Sequence, residues 1–248
     1  MTQKSKNSKI DKPQVFVVYE PGMFGTYLCL LFDHLPENKN LMPDSIKGDS
    51  HGINAHDSGY VDHVERFHIQ DDLDEFNKLN DEQKISFFET ARDSVLGVHR
   101  CSRYGFGLIN FDRYFNNHVK VILWCDDSDL KKYSDRMYDV SPHDVYNNRY
   151  WYKQLGKNLD KIPKDMIEAL IRKDYYKWIL DSRTEFKLKY QKNTNDIFFN
   201  VRDMADAKKV QALIDDTMEK LNLETFELPV AKHKEFIDKN AKYFDFAE

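Results

Sequence analysis

The chain has few cysteines, only 3 in 248 residues. Cys29, Cys101 and Cys125 are odd in number, widely spaced and form no CxxC pair, which excludes a disulfide framework and fits a reducing, cytoplasmic compartment. Long apolar runs are missing as well. The longest, near Tyr27–Phe32, ends at Asp33 and falls far short of the ~20 residues that a membrane helix needs, so no membrane span is expected. Met1 to Lys12 is polar and lysine-rich with no apolar centre; it is not a secretory signal and reads as a disordered arm. An excess of positive charge is also lacking: the formal net charge is −5, leaving no global basic field for nucleic acid. With no repeat, low-complexity tract or obvious linker, residues 13–248 read as a single domain.

What the chain does have is 41% hydrophobic and 32% charged residues, the balance of a well-solvated globule, with 17 Phe and 14 Tyr to fill a core. Four short apolar runs read as strands: Gln14–Tyr19, Ser94–Val98, Val119–Trp124 and Asp196–Val201. Between and after them lie segments of helical periodicity. The first opens at Thr26 and stops at Pro36. The others are Asp81–Asp93, Asp127–Tyr138, Met166–Tyr190 as one long or broken helix, Val210–Leu221 and Lys232–Tyr243. Asn38 to Gly59 reads as a long polar loop. Strands alternating with helices predict an α/β fold with a mainly parallel sheet flanked by helices. Such sheets bind ligands beyond the carboxyl ends of their strands, here after Tyr19, Val98, Trp124 and Val201.

The first of these ends carries the clearest motif, Tyr19-Glu20-Pro21-Gly22-Met23-Phe24-Gly25-Thr26-Tyr27-Leu28. A strand turns on glycines into a helix whose first amides are unpaired and partly positive. Glycine before such an N-terminus lets an anion approach the backbone, and the Thr26 hydroxyl could cap the helix or bind an anion oxygen. An ordinary tight βα turn uses the same residues. The turn is not a Walker A loop, because no lysine stands between Gly25 and Thr26; this disfavours a nucleotide kinase or NTPase.

Three segments taken in order resemble the sulfotransferase family. VFVVYEPGMFGTYLCLLFDHL is similar to that family's strand, phosphosulfate loop and helix. VKVILWCDDSDLKKYSDRMY resembles its second signature, where an arginine and a helix serine hold the donor's 3′-phosphate. DIFFNVRDMADAKKVQALIDDTMEKLNLE is similar to its late strand, acidic turn and helix. The resemblance implies a P-loop-like three-layer sandwich that binds 3′-phosphoadenosine 5′-phosphosulfate and needs no metal. It implies sulfuryl transfer to a hydroxyl or amine acceptor, a small molecule or a glycan. It assigns Gly22, Gly25, Thr26, Tyr27, Asp126, Ser134 and Arg202 to the donor, with Tyr133 fitting the register almost as well as Ser134.

Two of the family's cations are absent. Gly22, Met23 and Phe24 occupy the loop region where a basic residue is usual, and Cys125 stands where the second signature has its arginine, followed by Asp126 and Asp127. At ~1.5–3 kcal/mol per charge-assisted contact, their loss weakens donor binding by several kcal/mol unless other cations replace them. The alternative reading follows: a catalytically inactive protein of this fold acting as a binding or structural component.

For the chemistry itself, His99 is expected in the loop after the second strand, where its ordinary pKa suits a general base. Arg100 and Arg103 beside it could replace the missing lysine, with Tyr104 near. His51, His56, His63 and His68 match no zinc spacing and read as a polar loop near the entrance. Lys131 and Lys132 read as a solvated helix face, and Asp203 as a cap or turn opener for the next helix. The aromatic stretch Tyr146–Tyr152 reads as core or interface, with stacking on a base or sugar as the alternative.

Overall fold

The computed structural model describes residues 9–20, 22–33, 77–89, 97–101, 104–140 and 164–244. The histidines at 51, 56, 63 and 68, Arg103 and the aromatic stretch 146–152 lie outside them.

In chain order the elements are strand β1 (Gln14–Val18), helix α1 (Gly25–Asp33), α2 (Asp81–Glu89), strand β2 (Gly97–Cys101), the single turn α3 (Tyr104–Gly107), strand β3 (His118–Trp124), α4 (Asp127–Val140), α5 (Lys164–Lys189), strand β4 (Asp196–Asn200), α6 (Ala207–Lys220), α7 (Val230–Lys239) and α8 (Ala241–Phe244). The strands form one sheet in the order β2-β1-β3-β4, with every neighbouring pair parallel. This is the expected α/β architecture. Among the described residues no helix is long and apolar enough to cross a membrane.

Both faces of the central strand are covered. Side chains alternate across a strand, and Val15, Phe16, Val17 and Val18 are all fully buried. On the Phe16 side, its ring stacks on Phe111 at 3.7 Å and meets Phe88 of α2 and Phe115 edge-on. At ~1.5–3 kcal/mol for each buried large side chain, such a cluster is a main source of stability. Trp124, on the same side of β3 by register, packs against Tyr104 of α3 and Phe186 of α5. Helix α5 turns Ile179, Arg183 and Phe186 inward at i, i+4 and i+7.

The strand β2 runs three residues further than its apolar run suggests, to Cys101. Pairing with β1 sets Gln14 opposite Gly97 and Val18 opposite Cys101. His99 and Arg100 therefore lie inside the strand, opposite Phe16 and Val17, and not in the loop beyond it. Other differences are smaller. The C-terminal helix divides at Asn240 into α7 and α8, while α5 is the long form of the two that its sequence allowed. Ordered contacts begin before Pro13: Ile10 bridges to Phe115, its amide donating to the Tyr114 carbonyl at 2.8 Å. Asp206, not Asp203, caps α6 by accepting from the Lys208 amide. Asp203 sits in the preceding 3-10 turn, paired with Lys209. Lys131 is exposed and paired with Asp135 one turn on, as a solvated helix face requires.

Candidate functional site

The chain goes from β1 to β2 on one side of the sheet and then to β3 on the other, so the strand order reverses between β1 and β3. In open parallel sheets that switch point, at the carboxyl ends of the strands, is where a crevice for ligand forms. Here it is the meeting place of the turn after β1 and the residues after β3.

The turn after β1 is tightly wound. The Met23 amide donates to the Glu20 carbonyl at 3.1 Å, and the Tyr27 amide to the Phe24 carbonyl at 3.0 Å. Gly22 has φ of 96° and Phe24 φ of 60°. The first is ordinary for glycine. The second is strained for an aromatic residue, at a cost of order 1–3 kcal/mol that the surroundings must offset. Those surroundings are dense. Phe244 stacks on Phe24 at 4.8 Å, Phe236 meets it edge-on at 5.5 Å, and the Arg136 guanidinium lies 3.8 Å from its ring centre. Gly25 is needed for a different reason: a Cβ there would come within 2.0 Å of the Tyr19 ring. The space that glycine leaves at the mouth of α1 is filled by the protein's own tyrosine.

Two arginines that no motif singled out reach this end of the sheet. Arg136, from α4, donates from Nη1 to the Gly22 carbonyl at 3.3 Å and is 0% exposed. Arg183, from α5, lies 4.0 Å over Trp124. It donates from Nη2 to the Cys125 carbonyl, touches Cys125 Sγ at 3.4 Å through Nη1, and pairs with Asp127 at 3.0 Å. It is 2% exposed. Both arginines are held against rings and carbonyls. A signal for Arg183 was present: it continues the apolar stripe of Ile179 and Phe186, where an arginine has to be buried with partners.

A buried carboxylate lies beside them. Glu20 accepts from Ser182 Oγ at 2.6 Å and from the Tyr104 amide at 3.3 Å, and the Tyr104 hydroxyl donates to the Leu123 carbonyl at 2.9 Å. Burial, and then Glu20, push the Tyr104 phenol well above its usual pKa. Burial lifts the Cys125 thiol to about 11 even with Arg183 beside it. Cys125 therefore stays protonated at neutral pH and offers no nucleophile.

The residues assigned to the donor are only partly brought together. Gly22, Gly25 and Tyr27 share the turn and the first turn of α1, and all three are buried. The side chains of Thr26, His99 and Arg100 lie outside the described residues. The Tyr27 hydroxyl is bonded to His233 Nδ1 at 2.6 Å, and burial raises its pKa and lowers that of His233. Ser134 is buried, and its Oγ and the Tyr133 hydroxyl have no hydrogen-bond partner among the described residues. Arg202 meets Asp129 at 2.5 Å and Asp126 at 3.8 Å through its Nε, and the bond to Asp129 raises its pKa. Asp126 is exposed just before the start of α4. Among the described residues no group of three His, Cys, Asp or Glu could hold a metal ion.

Tested against a nucleotide phosphosulfate, these residues do not fit in this conformation. The glycine cradle holds a tyrosine ring, both buried arginines face protein groups, and an exposed aspartate stands outside. Comparison with protein-family models, curated proteins and solved structures gives no match. The functional reading therefore rests on the chain's own geometry.

Proposed function

We propose that this protein is built on a sulfotransferase-like, P-loop-like three-layer sandwich whose donor seat is closed from within, and that in this state it acts as a binding or structural component. The parallel sheet, the switch point at β1 and β3, and the order of the three family-like segments support the fold half of this reading. The observation that carries the functional half is the filled turn, with the Tyr19 ring against Gly25 and Arg136 sealed over Phe24. A polyanion would have to displace both rings and free the guanidinium before meeting a cation.

Titration calorimetry with 3′-phosphoadenosine 5′-phosphate, without metal, tests this. The expected outcome is no heat up to millimolar ligand. Micromolar binding that Arg136→Gln removes would overturn it in favour of the second reading, sulfuryl transfer from 3′-phosphoadenosine 5′-phosphosulfate to a hydroxyl or amine of a small molecule or glycan. One observation supports that reading: Arg136 and Arg183 place two positive charges at the strand ends where the family's loop cations are absent. His99 would then be the base to examine, with loss of turnover in His99→Ala.

A further inference from the structure

We propose that the outer face of helix α5 is a self-association surface, on which a second copy of this chain lays its own α5 antiparallel about a two-fold axis. The inference goes beyond the closed turn after β1 and uses none of its residues.

The helix has two faces that its spacing separates. Ile179 and Phe186 are buried in the core, whereas Met166, Leu170, Leu180 and Leu188 are exposed, Leu188 to 81%. At about 100° and 1.5 Å per residue, the four exposed side chains fall within an arc of about 80°, roughly opposite the buried pair, and run about 33 Å along the helix. Single exposed apolar side chains are ordinary on a protein surface. A row of four is not, because this is the face that a core-packed amphipathic helix leaves polar.

The occupant follows from how this row matches itself. Toward both ends of α5 the charges are paired within the chain: Glu168 with Arg172, Arg183 and Lys187 with Asp127, and Glu185 with Lys189. Lys177 and Asp181, beside Leu180, are exposed and have no ion pair with another described residue. In a two-fold contact, whatever residue meets a second one is met by it in return. With the axis level with Ile179, antiparallel pairing sets Leu170 beside Leu188 of the second copy and Lys177 beside Asp181 of the second copy. Leu180 lies at the centre beside its own counterpart. Apolar side chains then meet apolar ones, and the two unpaired charges meet their opposites, each contact being made twice. A parallel pair would instead leave Lys177 and Asp181 about 6 Å apart along the axis. The seam is one helix wide, which places it with weak, reversible interfaces.

Sedimentation equilibrium of the full-length chain over a concentration series tests this, and the wild type is expected to pass from monomer to dimer. Leu188→Glu loses an apolar contact twice in each dimer and is expected to weaken association at least about tenfold. Its exposure leaves the fold intact. Lys177→Glu and Asp181→Lys each set like charges together twice, and each is expected to weaken association by about tenfold. An equimolar mixture of these two variants has opposite charges at both places again and is expected to associate as the wild type does. That rescue is particular to the antiparallel two-fold. A dimer that Leu188→Glu leaves unchanged would overturn the proposal by placing the contact on another face. Weakening by the single charge reversals without rescue in the mixture would overturn the antiparallel register. A wild type that stays monomeric throughout would overturn self-association altogether. If Leu188→Glu then also lowered stability in urea unfolding, the face would belong to another part of the same chain.

Discussion

At the amino-terminal edge of the sheet, Lys120 lies 3.3 Å from Asp196, donates to the Gly107 carbonyl at 2.9 Å, and shares Asp196 with the Tyr190 hydroxyl at 2.6 Å. At the carboxyl edge, the arginines are held by the faces of Phe24 and Trp124 and by the carbonyls of Gly22 and Cys125. The first edge is a matched ion pair with both side chains almost wholly buried. The second holds Arg136 and Arg183 on rings and carbonyls, with Asp127, the carboxylate that meets Arg183, largely exposed. A lysine is a compact point charge that needs an opposite charge in a low dielectric. A guanidinium is planar and weakly hydrated and can be buried on rings and carbonyls. One edge is therefore locked by a buried ion pair, whereas the other buries two guanidinium groups largely on rings and carbonyls.

The largest effect should come from breaking the lock. Asp196→Ala leaves Lys120 buried without its carboxylate and is expected to cost about 3–5 kcal/mol in urea unfolding. Lys120→Met combined with Asp196→Leu removes both charges and should recover most of that loss. Arg183→Met at the other edge leaves a carbonyl without its donor and should cost less, about 1–3 kcal/mol. If Arg183→Met proves as costly as Asp196→Ala, the distinction between the two edges fails.

The next effect probes the filled turn. Gly25→Ala drives a methyl into the Tyr19 ring and is expected to cost about 3 kcal/mol, the upper part of the usual overpacking range. Paired with Tyr19→Ala, the two changes should be strongly non-additive, because removing the ring vacates the space the methyl needs. Additive losses in the double-mutant cycle would mean that Gly25 serves backbone freedom and not the ring.

The contrast between the edges also explains what the sequence could reveal. Strands β1 and β3 were legible because buried strands of a parallel sheet are continuous apolar runs, and α6 because Val210, Leu213, Ile214 and Met218 keep one face. The far end of β2 was missed because His99 and Arg100 do not look strand-like, while register against Gln14–Val18, a non-local constraint, sets both inside the strand. The turn was legible as a glycine turn but not as a closed one. Nothing local tells that Tyr19 fills the space over Gly25, or that Phe24, between two glycines, is the residue to join Gly22 at positive φ. Arg136 was hidden by the expectation that a charged helix residue faces water, and only the packing of α8 against the turn makes its burial intelligible.

The smallest effect comes from acid. His118 at the amino edge and His233 on the inner side of α7 are both buried, and burial lowers the pKa of each, in His118 against the pull of Asp112 at 3.7 Å. Above about pH 6.5 the imidazoles are neutral in folded and unfolded chains alike, and neither affects the balance. As the pH falls below that value the unfolded chain takes up protons that the folded one refuses, so stability is lost toward acid until the lowered folded values are reached. Each histidine can contribute a slope of at most about 1.4 kcal/mol per pH unit. Urea unfolding of the wild type, His118→Gln and His233→Gln at about pH 7.5 and 5.5 separates the two edges. Each variant should show a shallower acid loss than the wild type. If only His118→Gln is shallower, His233 already takes up protons in the folded state. If only His233→Gln is shallower, Asp112 stabilises the His118 imidazolium enough to keep it titrating as in water. Equal flattening would mean that both ends of the sheet exclude the proton, and that any opening at the turn has to be driven by a ligand or partner and not by acid.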